Sequence, residues 1–373
     1  MTSSNPESSK KVRYAVVGLG YFAQAAVLPA FKHSKNSEIA AFVSDDLLKH
    51  KKLGEKYGVQ HHYTYDHYDQ CLRGGQIDAV YIALPNNMHR EFTMRAAAAG
   101  VHVLCEKPMA VTEKECEDMI QACDDHNVKL MIAYRLHFEE ANLRAVEIVN
   151  SGKIGEARFF DSVFSQQVQA DNIRMKKELG GGTLYDMGVY PINAARYLFR
   201  EEPISVFAFS GNNGESRFKE IEEMTTGLLR FPNDRLASFT VSFGAADTSM
   251  YRVVGTKGDL LMEPAYDFTM GLASRLTVNG KKTNTQFPQR DQLAAELIYF
   301  SDCVLQDKRP EPSGAEGLAD VRIVRALYQS AETGRPVALG PFVRGPRPDA
   351  DQTIKRPAAR MPELVHAAGP SGS

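Results

Sequence analysis

The sequence is poor in the features that mark secreted, membrane or nucleic-acid-binding proteins. It has 373 residues, no tryptophan and only five cysteines, and no apolar run approaches the ~20 residues that span a bilayer. An odd cysteine count without a C-x-x-C pair argues against a disulfide framework or a structural zinc site. The 44 Lys and Arg against 46 Asp and Glu leave a net charge of −2, which argues against nucleic-acid or anionic-membrane partners. Because no secretory signal is recognisable, a cytoplasmic protein is expected.

The first third of the chain alternates short apolar runs with helical patterns. Residues 1–10 are polar and are expected to be disordered. Residues 11–134 predict an α/β fold, namely an N-terminal NAD(P)-binding Rossmann domain with a doubly wound parallel sheet. The expected strands are 12–17, 39–43, 79–84, 101–105 and 129–133. The expected helices are 21–33, 47–57, 91–99 and 113–126.

The pattern changes near Tyr134. After a helix at 141–150, apolar residues recur with period two, which predicts strands at 158–168, 204–209, 226–231, 236–243, 251–254, 259–262 and 275–278. Residues 135–340 are therefore predicted to form a C-terminal α+β domain with a large open, mostly antiparallel sheet, covered on one face. Helices are expected at 291–305 and 314–333. Proline and charge dominate 341–373, and this tail is expected to be disordered or to lie over a neighbouring subunit.

A glycine-rich turn between the first strand and the first helix predicts a dinucleotide site. The residues from Gly18 to Ala23 read G-x-G-x-x-A. Gly18 permits the tight turn, Gly20 lets the backbone approach a pyrophosphate, and the following helix offers free N–H groups. We therefore expect Gly18, Gly20, Tyr21 and Phe22 to bind NAD(P). The alternative is a glycine-rich turn without a ligand.

The ends of the second and third strands carry further candidates for cofactor binding. An acidic Asp45 suits the ribose hydroxyls of NAD, whereas Ser44 and Lys49 suit the 2′-phosphate of NADP. The lysines near 49–52 are also typical of a solvated helix face. The third strand is followed by Leu84, Pro85, Asn86, Asn87 and His89, whose polar groups we expect beside the cofactor. Helix capping by an asparagine is the alternative.

Two motifs carry candidate chemistry. Glu106 and Lys107 follow the fourth strand, where they would border the cofactor and the lysine would reach the ligand crevice; a surface salt bridge is the alternative. The three glycines 180–182 would let a loop lie close to a ligand. Asp186 and Tyr190 then fall at i and i+4 on one helix face. A tyrosine with its ordinary pKa of about 10 is a poor base, but the ammonium of Lys107 would favour the phenolate.

These three groups together could remove a proton from a sugar hydroxyl while hydride leaves the same carbon. The alternative for the tyrosine is a buried side chain with a hydrogen-bonded hydroxyl. A metal site is not expected, because the candidate ligands His61, His62, Asp66 and His67 lack a helical i, i+4 pair.

The motifs G-L-G-Y-F-A, E-K-P and G-G-G-T-L-Y-D-M-G-V-Y-P-I-N-A-A-R-Y-L together resemble the glucose–fructose oxidoreductase / inositol dehydrogenase / rhizopine-catabolism (Gfo/Idh/MocA) family over residues 11–340. The sequence is most similar to the glucose–fructose oxidoreductase branch, since Tyr190 stands where inositol dehydrogenases have histidine. The resemblance implies Lys107 and Tyr190 as the catalytic pair and Asp186 as the group that positions sugar hydroxyls. It also implies that Arg135 lines the substrate site.

The activity that the resemblance implies is hydride transfer between NAD(P) and a sugar or polyol, in a homo-dimer or homo-tetramer joined through the open sheet. Ser44 and Lys49 match the branch and slightly favour NADP, whereas Asp45 stands where the branch tends to have glycine. One alternative is coupled sugar-to-sugar transfer with retained NADP, which the lack of a long N-terminal arm weakens. Another is a non-catalytic nucleotide sensor or scaffold, which would need no proton-transfer set.

Overall fold

A computed structural model describes residues 10–343, 345 and 348–372. Its first sheet has six strands in the order β3-β2-β1-β4-β5-β6, and every neighbouring pair is parallel. The strands are β1 Val12–Val17, β2 Ser37–Val43, β3 His61–Tyr63, β4 Ala79–Ile82, β5 His102–Glu106 and β6 Leu130–Ala133. The predicted doubly wound parallel sheet is confirmed.

The connections of this sheet are helical. A π-helical turn at Ala23–Val27 leads into a short α1, and side chains cap the N-termini of α2 and α5. Asp46 accepts the N–H groups that begin α2, which ends at Gly58 with φ +71°. Thr112 and Glu115 form a capping box at the start of α5. The bounds are α1 Leu28–Ala30, α2 Leu47–Tyr57, α3 Tyr68–Arg73, α4 His89–Ala98 and α5 Glu113–Asp125.

The second sheet has nine strands in the order β14-β13-β12-β11-β7-β10-β9-β8-β15. All neighbours are antiparallel except β7 and β10, so the expected mostly antiparallel sheet is confirmed. The strands are β7 Ala157–Ser165, β8 Ser205–Gly211, β9 Met224–Arg230, β10 Leu236–Ser242, β11 Thr248–Gly255, β12 Gly258–Met262, β13 Leu272–Val278, β14 Lys281–Phe287 and β15 Val337–Ala338. The remaining helices are α6 Glu140–Asn150, α7 Val189–Phe199, α8 Gln292–Leu305 and α9 Gly314–Thr333.

One face of this large sheet is covered and the other is open. Strand β9 alternates exposed and buried residues along its whole length, as a half-covered strand must. The covered face packs against helices that include α7 and α9. The open face carries large apolar side chains that are 46–66% exposed: Phe159, Leu228, Leu236 and Phe209.

The C-terminal segment 348–372 packs on its own chain. Ile354 donates its N–H to the carbonyl oxygen of Phe138 (3.3 Å), and both Ile354 and Val365 pack against the apolar core beside the first sheet. Our expectation of a tail that is disordered or lies over a neighbouring subunit is therefore wrong for these residues. The segment is held by hydrogen bonds to its own chain in addition to these two partly buried side chains.

The described residues contain neither a candidate membrane span nor a candidate metal cluster. Within them, no helix combines the length and the apolar character that crossing a bilayer requires. No cluster of three or more His, Cys, Asp or Glu side chains in the same residues could hold a metal ion. His62 stacks on His50 with 5.1 Å between ring centroids, and His67 bonds to Thr64.

A buried ion network joins α7 to α9. Arg196 is 1% exposed, and its guanidinium pairs with Glu202 (2.7 Å), Glu316 (2.8 Å) and Asp320. The two carboxylates on α9 lie on the face that packs against α7, so the pairing fixes the rotation of one helix against the other. Burial raises the pKa of Asp320 to about 7 despite the opposing charge of Arg196.

We expect Arg196→Met to lower the free energy of unfolding by about 3–5 kcal/mol, because it leaves buried carboxylates without their cation. Arg144→Met is the matched control, since Arg144 pairs with Glu147 on the surface of α6 and such pairs contribute at most about 1 kcal/mol. Urea unfolding followed by circular dichroism measures both. An equal decrease in the free energy of unfolding in the two variants would contradict the assigned role of the network.

Candidate active site

The glycine-rich turn after β1 has the shape of a phosphate site. Gly18 has φ +89°, and a Cβ there would lie 2.5 Å from the carbonyl oxygen of Ala83, so the position accepts only glycine. A Cβ on Gly20 would meet nothing within 4 Å, which shows open space above the turn. The chain becomes helical at Tyr21, and the first N–H groups of a helix have no partner within it. The turn therefore fits the pyrophosphate of a dinucleotide.

The end of β2 brings together a hydroxyl, an ammonium and two carboxylates. Ser44 is buried, and Lys49 lies 3.8 Å from Asp46, the residue that caps α2. Asp45 is exposed, and one of its oxygens accepts the N–H of Tyr65 (2.9 Å). Ser44 and Lys49 thus lie at this corner as expected. The hydroxyl of Ser44 accepts the N–H of Asp46 (3.3 Å), and Asp45 is partly engaged by the loop after β3.

The loop after β4 connects the two domains. The side-chain amide of Asn86 donates to the carbonyl oxygen of Gly180 (2.8 Å), so Asn86 caps no helix. His89 is fully buried, and its ring nitrogens lie 2.9 Å from the carbonyl oxygens of Leu84 and Pro108. Burial lowers the pKa of His89. His89 therefore holds two loops together rather than facing the crevice as predicted, whereas Leu84, Pro85 and Asn87 follow β4 as expected.

The side chains of Glu106 and Lys107 point to different domains. The carboxylate of Glu106 is buried at the end of β5 and accepts the hydroxyl of Tyr81 (2.6 Å) and the main-chain N–H of Lys107 (3.2 Å). Burial raises the pKa of Glu106, although the Tyr81 bond and the charge of Lys107 oppose this. The ammonium of Lys107 instead reaches the second domain, where it donates to the carbonyl oxygen of Asp186 (2.8 Å) and lies 3.4 Å from its carboxylate.

The three glycines 180–182 pack closely against other segments of the protein. A Cβ on Gly181 would lie 2.3 Å from the carbonyl oxygen of Arg174, and a Cβ on Gly180 would lie 2.8 Å from Asn86. The glycines therefore allow the loop to approach its own neighbours, which differs from the expected contact with a ligand. The chain continues as a π-helical turn at Leu184–Gly188 before α7 begins, a feature often found at functional sites.

Tyr190 lies between two cations. The ammonium of Lys107 is 4.6 Å from the centroid of its ring, and the guanidinium of Arg135 donates to its hydroxyl (3.2 Å). Arg135 is 5% exposed and is fixed by bonds to the main chain of Tyr266 and to the side chain of Gln292. The predicted residues Lys107, Arg135, Asp186 and Tyr190 are thus brought together in one place.

Arg174 is a site residue to which the sequence motifs assigned no role. Its Nε donates to the carboxylate of Asp186 (2.7 Å), opposite the oxygen that faces Lys107. Burial alone would raise the pKa of Asp186, but the charges of Arg174 and Lys107 hold that pKa below its ordinary value. Asp186 is therefore an anion clamped between two cations. A loop arginine has no periodicity, so only its place near the glycines could have suggested this role.

Both domains match models of the same protein family. Residues 12–134 match the family model of the GFO/IDH/MocA oxidoreductases with an NAD-binding Rossmann fold, and residues 142–261 match the GFO/IDH/MocA C-terminal domain. The NADP(+)-dependent D-xylose 1-dehydrogenase of Haloarcula marismortui is 32% identical over 88% of this chain and 93% of its own length. The chain belongs to the GFO/IDH/MocA family. The resemblance drawn from the three motifs is confirmed.

Solved structures extend the likeness of this GFO/IDH/MocA protein to both domains. The crystal structure of an aldose-aldose oxidoreductase from Caulobacter crescentus with glycerol superposes with a TM-score of 0.85 at 38% identity, covering 88% of this chain and all of the other. KijD10, a 3-ketoreductase from Actinomadura kijaniata in complex with NADP and TDP-benzene, has a TM-score of 0.78 at 26% identity, covering 86% of this chain and 98% of its own.

Arg174→Met should move the acid limb of the pH profile of kcat/KM to higher pH. The pKa of Asp186 is depressed, so activity that needs its carboxylate is lost only as the pH falls through that low value. Removing Arg174 removes one stabilising charge and raises the pKa of Asp186. Lys176→Met is the control, since Lys176 pairs with Glu220 on the surface. An acid limb that stays in place in Arg174→Met would contradict the clamp.

Proposed function

We propose that this protein is an NADP-dependent sugar or polyol oxidoreductase that acts on a CH–OH or hemiacetal carbon. The observation that carries the proposal is the meeting of Lys107, Asp186 and Tyr190 from two domains. Arg135 adds a second cation at the phenol. A nucleotide sensor would have no use for such a proton-transfer set.

The residues divide the reaction between them. When bound, NADP supplies the acceptor or donor of hydride, and the glycine-rich turn at Gly18 would hold its pyrophosphate. As the carbon loses hydride, its hydroxyl gives its proton to Tyr190, so that one C–H and one O–H bond break and a C=O bond forms. Lys107 and Arg135 stabilise the phenolate that accepts this proton. Asp186, clamped between cations, accepts a bond from another hydroxyl of the substrate.

Several observations support NADP over NAD. The D-xylose 1-dehydrogenases of Haloarcula marismortui and Haloferax volcanii carry NADP(+) in their names, and KijD10 binds NADP. In this chain, Ser44 and Lys49 lie at the end of β2, where a 2′-phosphate would bind. The carboxylate of Asp45, which would favour NAD, is partly occupied by Tyr65.

Tyr190→Phe should lower kcat by at least about 100-fold, because the proton of the substrate hydroxyl loses its acceptor. NADPH binding should stay intact. Tyr185→Phe is the matched control: Tyr185 lies on the same helical segment, but its hydroxyl donates to the carbonyl oxygen of Val111 (2.6 Å), so turnover should change little. The measurement is NADPH absorbance with a panel of aldoses and polyols, with NADP and with NAD. Cofactor binding without turnover of any sugar would instead favour a sensor.

A second candidate is coupled transfer between two sugars with NADP retained. The likeness to the aldose-aldose oxidoreductase of Caulobacter crescentus, at 38% identity over its whole chain, favours it. Protein purified with bound NADPH that is oxidised on addition of a ketose or a second aldose would support this activity. An enzyme that needs free NADP in every turnover would be a simple dehydrogenase.

A second copy of the chain is the partner that we propose for the open face of the nine-stranded sheet, giving a homo-dimer or homo-tetramer. The face exposes Phe159, Phe209, Leu228 and Leu236 side by side, and contiguous apolar patches of this kind mark interfaces. We also propose a cytoplasmic location, because all five cysteines are buried and free, as in reducing compartments.

Leu228→Glu should dissociate the oligomer, since it places a charge in the middle of the apolar face. Leu47→Glu is the matched control, because Leu47 is 72% exposed on α2. Light scattering at micromolar concentration measures both. A monomeric wild-type protein would refute the interface.

A further inference from the structure

The C-terminal segment runs along the first domain towards the dinucleotide crevice. Its first part is tied down away from the crevice, where Lys355 pairs with Glu140 on α6 (2.7 Å) and the carbonyl oxygen of Arg356 accepts the N–H of Asp291 (3.2 Å). Ile354 packs into the core beside Phe138. From there the chain continues along α2, where Lys56 donates to the carbonyl oxygen of Glu363 (3.3 Å).

The segment is then joined to the glycine-rich turn through one buried amide. The side chain of Gln24 accepts the N–H of Val365 (2.7 Å) and donates to its carbonyl oxygen (2.9 Å). The same amide nitrogen donates to the carbonyl oxygen of Leu19, which lies inside the turn (2.9 Å). Gln24 is only 1% exposed, so these bonds are shielded from water.

The next residues cross from one domain to the other. His366 bonds to Asp46 at the end of β2 (3.1 Å), the corner where the adenosine end of a dinucleotide lies. Four residues later, the carbonyl oxygen of Pro370 accepts the N–H of Gln169 (2.9 Å), and the side chain of Gln169 donates to Ser371 (3.1 Å). Gln169 belongs to the second domain, in the loop that leads to Arg174.

The segment that crosses between the domains is short and consists of small residues. Four residues span at most about 14 Å, so the chain from His366 to Pro370 is drawn directly over the opening between the domains. The residues between them, Ala367, Ala368 and Gly369, have small side chains or none. A dinucleotide bound along the carboxyl ends of the parallel strands would pass beneath this crossing.

We propose that residues 363–372 are a strap that closes over bound NADP and slows its release, so that the cofactor stays in place through successive turnovers. The inference rests on the proposed function. It favours a second sugar as the co-substrate: the first sugar is oxidised from CH–OH to C=O, giving up a hydride and a proton. The second sugar is reduced from C=O to CH–OH by the same hydride and proton, so no free NADP is consumed.

The test compares the full chain with a variant that ends after Pro362. The truncation keeps the contacts of Ile354 and Lys355, so the rest of the segment stays anchored. Each protein is loaded with NADPH, excess NADP is added, and release is followed by the loss of bound NADPH fluorescence. We expect release at least about tenfold faster from the truncated variant, and intermediate rates from His366→Ala and Gln169→Ala. Lys355→Ala is the control, with release unchanged.

The outcomes separate the strap from its alternatives. Unchanged release from the truncated variant and from both anchor variants would overturn the strap while leaving the proposed function intact. Slower release or tighter binding after truncation would also overturn it, since the segment would then exclude the cofactor. A full chain that binds no NADP(H) at all would overturn the proposed function and the strap together. The point variants keep the test decisive if the truncated chain folds poorly.

Discussion

The contact between Lys107 and Asp186 is the interaction on which the site depends. Lys107 leaves the end of a strand in the parallel sheet, and Asp186 lies in the π-helical turn that precedes α7 in the other domain. Their 2.8 Å bond runs to a main-chain oxygen, so it fixes the backbone of that turn and not only a side chain. Tyr190 follows on the same helical segment and is placed over the same ammonium. The phenol is therefore positioned relative to the cofactor domain by one cation.

The charges around this contact come from both domains. Lys107, Arg135 and Arg174 surround Asp186 and Tyr190, and Asp186 is the carboxylate that pairs directly with two of them. The buried carboxylate of Glu106 interacts with the charges of Lys107 and Arg135, and that of Glu296 interacts with the charge of Arg135. The cations beside Tyr190 are therefore held by carboxylates on several elements, which fixes their positions relative to its hydroxyl.

Sequence patterns predicted the buried strands, and they missed exposed strands and contacts between loops. Five of the six strands of the parallel sheet are largely apolar, so their runs revealed them within a few residues. The sixth, β3, is short, polar and not buried, and the sequence patterns missed it. Strand β14, Lys281–Phe287, is an edge strand that is exposed on almost every residue, and it therefore lacks alternation. The roles of Arg174 and His89 depend on loops that meet only after folding, and no spacing in the chain encodes such meetings.

The contacts of the C-terminal segment could not be predicted from sequence patterns either. These contacts contribute to how the two domains are held together at the crevice. Its contacts there are mostly made by main-chain atoms, and the amino-acid composition of a segment does not predict main-chain contacts. The domains are linked inside the crevice by bonds that include those of Lys107 and Asn86, and outside it by the bonds of Gln169 to the C-terminal segment. The Lys107 link is partly buried and charge-assisted, whereas the Gln169 links are exposed, neutral hydrogen bonds that contribute about 1 kcal/mol each. Because the outer bonds are individually weaker, the segment can leave the second domain while the contact between Lys107 and Asp186 stays formed.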